Sequence, residues 1–159
     1  MSFDITTLIT DRTEYDVAYV KALSEKGLDG MSDAEKAEWG GEMKGTYNAS
    51  DLNRVGLAVD YLTSRLRSYG ISAETAPKTD WATDDAPTIS QMRQYIADVE
   101  ALRSAIAVLP TTPEVPSDMD GLTYAEANDI EKILTDIDRL ITNMTFAWFY
   151  SGDIYSGEV

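Results

Sequence analysis

Hydrophobic residues recur at steps of three and four along three long segments of the chain, near residues 50–69, 88–109 and 123–147. This spacing is typical of helices that bury one face, and no stretch shows the sustained alternation of a half-buried strand. The three stripes predict the core of a helical bundle, formed by Leu52, Val55, Val59, Leu62, Leu66 and Tyr69, by Met92, Tyr95, Val99, Leu102, Ile106 and Leu109, and by Ile130, Ile133, Ile137, Leu140 and Met144. The stripes are widened, in favour of a globular bundle over a two-stranded coiled coil, by Leu57, Ile96, Leu134 and Ile141.

Helix starts are marked by capping boxes, in which an acceptor side chain is followed three residues later by Glu or Gln. The sequence has such pairs at Asp11 and Glu14, Ser32 and Glu35, Thr88 and Gln91, and Thr123 and Glu126, and either Asn48 or Ser50 can cap a further helix. Two shorter helices are therefore predicted near 12–26 and 32–39. The proline-containing segments 71–87 and 111–122 are predicted to be long ordered loops. The expected fold is all-α, a single domain over 1–159 with an N-terminal helical extension at 1–45 and a three-helix core at 46–159.

The chain of 159 residues contains no cysteine and no histidine. Cysteine-ligated metals, thiol nucleophiles and every catalytic triad that uses imidazole are therefore excluded. The glycines at 40, 41 and 45 lack the flanking residues of a phosphate-binding loop. We expect no enzyme activity, no cofactor and no small-molecule substrate, and acid–base chemistry by Asp, Glu, Lys or Tyr is the remaining route to catalysis.

Two acidic clusters are candidates for a metal or catalytic site. The pair Asp118 and Asp120 resembles a fragment of a calcium-binding loop, but no acid follows at the positions that would complete it. The second cluster surrounds Trp81 and consists of Asp80, Asp84 and Asp85. Both clusters are also explained by turn and cap residues, with Trp81 packed inward, and we favour this explanation. No catalytic residue and no metal ligand is therefore predicted.

The formal charge is −15, from 13 basic and 28 acidic residues. Such a chain repels DNA and anionic membranes, so neither is an expected partner. The longest apolar run is five residues, too short to span a membrane, and the first ten residues lack the features of a signal peptide. The acids after residue 110 alternate with apolar residues and are interpreted as a solvated helix face. An alternative is a DNA mimic that blocks a basic cleft, although its stripe would be short, formed by Asp129, Glu131, Asp136 and Asp138.

Five of the fifteen aromatic residues lie within ten positions near the end of the chain: Phe146, Trp148, Phe149, Tyr150 and Tyr155. An aromatic cluster of this size is seldom left in water. It can dock on the chain's own bundle or on a neighbouring subunit, where Trp and Tyr are typical anchors. We expect burial at least partly by another subunit, and hence a homo-oligomer whose order the sequence does not fix.

Several short motifs carry a resemblance. They lie at residues 47–55 (YNASDLNRV), 78–81 (KTDW), 87–92 (PTISQM), 122–134 (LTYAEANDIEKIL) and 148–153 (WFYSGD). In these motifs the chain resembles small acidic helical proteins encoded among the tail and baseplate genes of phages and prophages of Gram-positive gut bacteria. The resemblance covers roughly residues 44–159. It implies a structural protein that acts by assembly and is located in the virion, which is assembled in the host bacterial cytoplasm, with other virion proteins as partners and a link to receptor-binding fibres as a further expectation. It supplies no catalytic or ligand-binding residues.

Overall fold

The computed structural model describes the backbone of residues 2–156 and the side chains of residues 2–147. In this part of the chain the fold is all-helical and has no strand, which confirms the predicted class. A short 3-10 turn at Ile5–Thr7 precedes five helices: α1 (Glu14–Gly30), α2 (Asp33–Trp39), α3 (Ala49–Ser68), α4 (Ile89–Ala105) and α5 (Tyr124–Ser156). Within the same residues no helix combines the length and the apolar character that a membrane span needs.

Reciprocal capping bonds form at the predicted residues Ser32, Thr88 and Thr123. The predicted cap at Asp11 is wrong, because α1 begins after Thr13, whose side chain and that of Asp16 cap each other's backbone N–H. Asp11 instead accepts a hydrogen bond from Lys44 Nζ at 2.6 Å. The next residue, Arg12, is drawn into the protein interior, as described below, so the helix starts only after it.

The core lies between α3, α4 and α5, and the predicted stripes supply most of it. Its buried residues are Leu52, Val55, Ala58, Val59, Leu62, Leu66, Trp81, Tyr95, Val99, Leu102, Ile130, Ile133, Leu134, Ile137 and Ile141. Two predicted core positions are wrong, since Leu57 is 39% exposed and Leu109 is 42% exposed. Leu57 lies on the opposite side of α3 from its apolar stripe. Leu109 loses its register because α4 ends at Ala105, after which Ile106 has an extended backbone.

α3 and α5 run in the same direction. Arg54, early in α3, pairs with Glu131, and Arg65, about three turns later, pairs with Asp138. Later residues of α3 therefore contact later residues of α5, as expected for two parallel helices. Parallel neighbouring helices need long connections that return the chain to the starting end, and the two long loops of this protein provide them.

The loop between α3 and α4 runs back along α3. Its Thr75 hydroxyl lies 2.9 Å from that of Thr63, and further along, the Trp81 backbone N–H donates to Asn53 Oδ1 at 2.7 Å. It passes α3 at Gly56, where an added Cβ would lie 2.4 Å from the Lys78 carbonyl oxygen. The loop therefore returns the chain to the beginning of α3 before α4 starts.

The loop between α4 and α5 makes the corresponding return. The Thr112 hydroxyl donates to Asp136 at 2.8 Å, well inside α5, whereas Leu122 lines the same groove as Leu52, which is near the start of α3. Ile89, the first residue of α4, lines the same region. The N-terminal ends of the three long helices therefore lie together at one end of the bundle, and α5 extends away from it.

Candidate assembly interface

A cluster of two arginines and two acids lies inside the protein, around the fully buried carboxylate of Glu131. Glu131 Oε1 accepts from Arg12 Nη2 at 2.6 Å and from Arg54 Nη2 at 2.9 Å. Its Oε2 accepts from Arg54 Nε at 3.0 Å and from the backbone N–H of Ile9 at 2.6 Å. Asp51 accepts from both guanidinium groups as well, so two positive charges face two negative ones.

This network fastens the N-terminal segment to the bundle. Arg12 is 4% exposed, and its backbone N–H donates to Asn128 Oδ1 at 2.9 Å. Burial would lower the pKa of Arg54, yet hydrogen bonds and charge attraction from Glu131 and Asp51 raise it above the ordinary value. Both oxygens of Glu131 already accept two hydrogen bonds each. The cluster therefore serves to hold the N-terminal segment on the bundle, and the Glu131 carboxylate is fully occupied by hydrogen bonds in that role.

The buried Tyr95 and the partly buried Tyr47 adjoin the network. The hydroxyl oxygens of Tyr47 and Tyr95 lie 2.5 Å apart, and the Arg12 guanidinium carbon is 5.3 Å from the centroid of the Tyr47 ring. Burial raises the pKa of both tyrosines above their ordinary value of 10.0. Both hydroxyls are therefore neutral near pH 7, which suits a shared hydrogen bond rather than proton transfer.

The prediction that the acids of α5 form a solvated helix face is wrong for several of them. Glu131 is fully buried and Asp136 is 7% exposed, and Asp136 accepts from Thr112 and from Lys132 at 2.8 Å. Asp138 pairs with Arg65. α5 packs against both α3 and α4, so polar positions beside its apolar stripe are covered and need internal partners. Three of the four acids of the DNA-mimic stripe thus face partners inside the molecule.

The two acidic clusters considered for metal binding lie at the surface. Lys78 Nζ lies 2.5 Å from Asp80 Oδ1, and this hydrogen bond lowers the pKa of Asp80. Trp81 beside it is 7% exposed, as its inward packing predicts. In the other cluster Asp118 Oδ1 accepts from the backbone N–H of Asp120 at 2.9 Å. Over the described residues, no three acidic side chains are grouped so that they could hold a metal ion.

The aromatic end of the chain continues α5 beyond the bundle. Among the residues of α5 up to 147, whose side chains the structure describes, the last fully buried one is Ile141, and the Tyr69 hydroxyl at the end of α3 bonds to Thr145. Phe146 follows and is 59% exposed, while the helix runs on to Ser156. The side chains of the other predicted interface residues lie outside the described residues: Trp148, Phe149, Tyr150 and Tyr155. Their burial by another subunit stays a prediction.

A groove of about 840 Å³ opens at the opposite end, where α3, α4 and α5 begin, and we call it the N-terminal groove. Its apolar lining includes the partly buried Met92 and Met119 and the 74% exposed Ile89. The lining is completed by Tyr47, Leu52, Pro87, Ile96 and Leu122 and by the exposed polar residues Arg93, Ser117, Asp118 and Asp120. Sequence reasoning missed this groove because its walls come from separate parts of the chain. It also missed the buried network, for which the only signal was two arginines near helix starts.

Comparison of the chain with protein families, with curated proteins and with solved structures gives no match in any of the three.

Proposed function

We propose that this chain is a structural protein of a phage virion, located in the tail or baseplate region, which acts by assembling with copies of itself and with other virion proteins. The observation that carries the proposal is the continuation of α5 past the bundle, with an aromatic sequence and an exposed Phe146. The resemblance of residues 44–159 to proteins of phage tail and baseplate genes supports the part of the proposal that places this assembly in a virion. The positioning of receptor-binding fibres is a finer part of the same proposal.

The physical reason is the cost of leaving such an extension in water. From Phe146 to Ser156 the helix adds about 16 Å at 1.5 Å per residue. A single helix of this length is marginal by itself and is usually stabilised by packing. Aromatic side chains dominate the energetics of protein interfaces. A partner that covers the extension would stabilise the helix and bury the aromatic residues together.

We infer further that the protein is not an enzyme. The chain offers no imidazole or thiol, and the buried acids Asp51 and Glu131 bond to arginines while the tyrosines Tyr47 and Tyr95 bond to each other. Groups held in this way stabilise a fold and are poorly placed to exchange protons with a substrate. An assembly role needs only the rigid bundle and its exposed ends.

The direct test is mass spectrometry of purified phage particles from the strain that produces the protein. Many copies per particle are expected. Absence from particles, together with tight and salt-sensitive binding to a basic host nuclease, would overturn the proposal in favour of the acidic DNA mimic.

A matched pair of variants links incorporation to the extension. Phe146→Glu combined with Trp148→Glu should reduce the copy number in particles, because it places charge on the proposed contact. Tyr15→Glu changes an aromatic residue that is 76% exposed on α1, and its copy number should equal that of the wild type. Equal incorporation of both variants would remove the extension from the proposal.

A further inference from the structure

We propose that the N-terminal groove receives the aromatic extension of a second copy of this chain, so that copies join head to tail. The aromatic extension is defined as residues 146–156 of α5. This inference rests on the proposed assembly function and adds the surface to which the extension binds.

The parallel arrangement of the long helices separates the two surfaces. The groove lies where α3, α4 and α5 begin, whereas the extension leaves the far end of α5. Along a continuous helix Phe146 lies about 33 Å from Tyr124, at 1.5 Å per residue. An uninterrupted helix cannot fold back over that distance. The extension therefore cannot fill the groove of its own chain, and a second copy can.

The lining of the groove suits aromatic side chains. Met92 and Met119 offer flexible thioethers, which adapt to irregular shapes and make favourable contacts with aromatic rings. Ile89 is 74% exposed at the first position of α4, and an occupant would remove it from water. A volume of about 840 Å³ is within the range of cavities that bury a ligand with several rings.

The polar residues of the groove match the donors that the extension carries. An indole N–H and tyrosine O–H groups need acceptors when they are buried, and the carboxylates of Asp118 and Asp120 are acceptors. Arg93 offers a positive charge to the one acid of the extension, Asp153. The three helix N-termini at this end also favour negative charge.

A contact between two different surfaces has a consequence for the assembly. After one contact forms, each pair of copies still has one open groove and one open extension. Such heterologous contacts close into rings when the rotation between copies permits it and otherwise continue as filaments. Pairing of the extensions with each other would instead stop at a small symmetric assembly.

The experiment compares full-length variants by analytical ultracentrifugation at about 100 μM, where micromolar association is nearly complete. Ile89→Glu places a charge in the groove at a position where α4 tolerates an acid, since it is the first residue of the helix. Phe146→Glu combined with Trp148→Glu alters the extension. Leu28→Glu, 60% exposed on α1, is the matched control. Circular dichroism verifies that each variant keeps its helix content.

Wild type and Leu28→Glu are expected to assemble, and the groove and extension variants are each expected to associate at least about tenfold more weakly. A one-to-one mixture of those two variants should form mainly a dimer, because the contact between the altered groove and the altered extension is the weakest one. One of them retains an intact extension and the other an intact groove, so a single contact is restored.

Undiminished assembly of Ile89→Glu, or failure of the mixture to form the dimer, would overturn the groove as acceptor while leaving assembly itself in place. A wild-type chain that stays monomeric would overturn both this inference and the self-assembly part of the proposed function. The particle measurement would then decide separately whether the chain belongs to a virion.

Discussion

Replacement of Glu131 by Gln should destabilise the fold more than any comparable change of charge at the surface. The substitution keeps the size of the side chain but removes one of the two negative charges that face Arg12 and Arg54. Asp51 alone then faces both guanidinium groups, and an unbalanced positive charge remains in a site where Glu131 is fully buried.

The expected magnitude follows from this imbalance. Removing one partner of a buried ion pair costs about 3–5 kcal/mol, because the charge that remains has lost both water and its counterion. Whole domains are stable by only about 5–15 kcal/mol. The hydrogen bond from the Ile9 N–H at 2.6 Å would also weaken, since an amide oxygen is a poorer acceptor than a carboxylate. We therefore expect Glu131→Gln to lose a large part of the free energy of unfolding and to loosen the N-terminal segment.

Urea denaturation followed by circular dichroism measures this free energy. The matched control is Glu114→Gln, because the Glu114 side chain is 86% exposed although its Oε1 lies 2.8 Å from Arg103 Nη2. Exposed pairs contribute at most about 1 kcal/mol, so the control should stay close to the wild type. If Glu131→Gln costs no more than Glu114→Gln at an unchanged slope with urea, the reasoning about the buried network is refuted.

Two further predictions concern other parts of the bundle. Gly56→Ala should destabilise the folded protein by about 1–3 kcal/mol, since its Cβ would lie 2.4 Å from the Lys78 carbonyl oxygen. The control Gly40→Ala meets only ordinary contacts and should be nearly neutral. Equal thermal midpoints for the two variants would contradict this prediction. Burial raises the pKa of Tyr47 and Tyr95, so their contribution to stability is complete below pH 10.0 and is lost as the pH rises through the folded values. Urea denaturation at about pH 8 and about pH 11 measures how much free energy of unfolding is lost at the higher pH. This loss should be smaller for Tyr47→Phe combined with Tyr95→Phe than for the wild type. Equal losses would show that the two tyrosines do not cause the pH dependence.

The helices were predictable because their signals are local. A cap such as Thr88 with Gln91 spans four residues, and the apolar stripe of α3 repeats within one turn. These patterns fix where a helix begins and which side it buries, whatever surrounds it. The same local reasoning failed at Asp11, where Arg12 is drawn into the interior and α1 is capped by Thr13 instead.

Tertiary structure alone decided which polar residues are buried and which surfaces meet. Glu131 looks like any acid beside an apolar stripe, and its burial is stabilised by Arg12 and Arg54, which lie 119 and 77 positions away in sequence. The N-terminal groove likewise exists because two long loops return the chain to the same end, which brings Met92 and Met119 together. Periodicity identifies the apolar face of a helix. The direction of the neighbouring helices and the burial of polar positions beside that face depend on contacts between residues far apart in the chain, and no local pattern encodes such contacts.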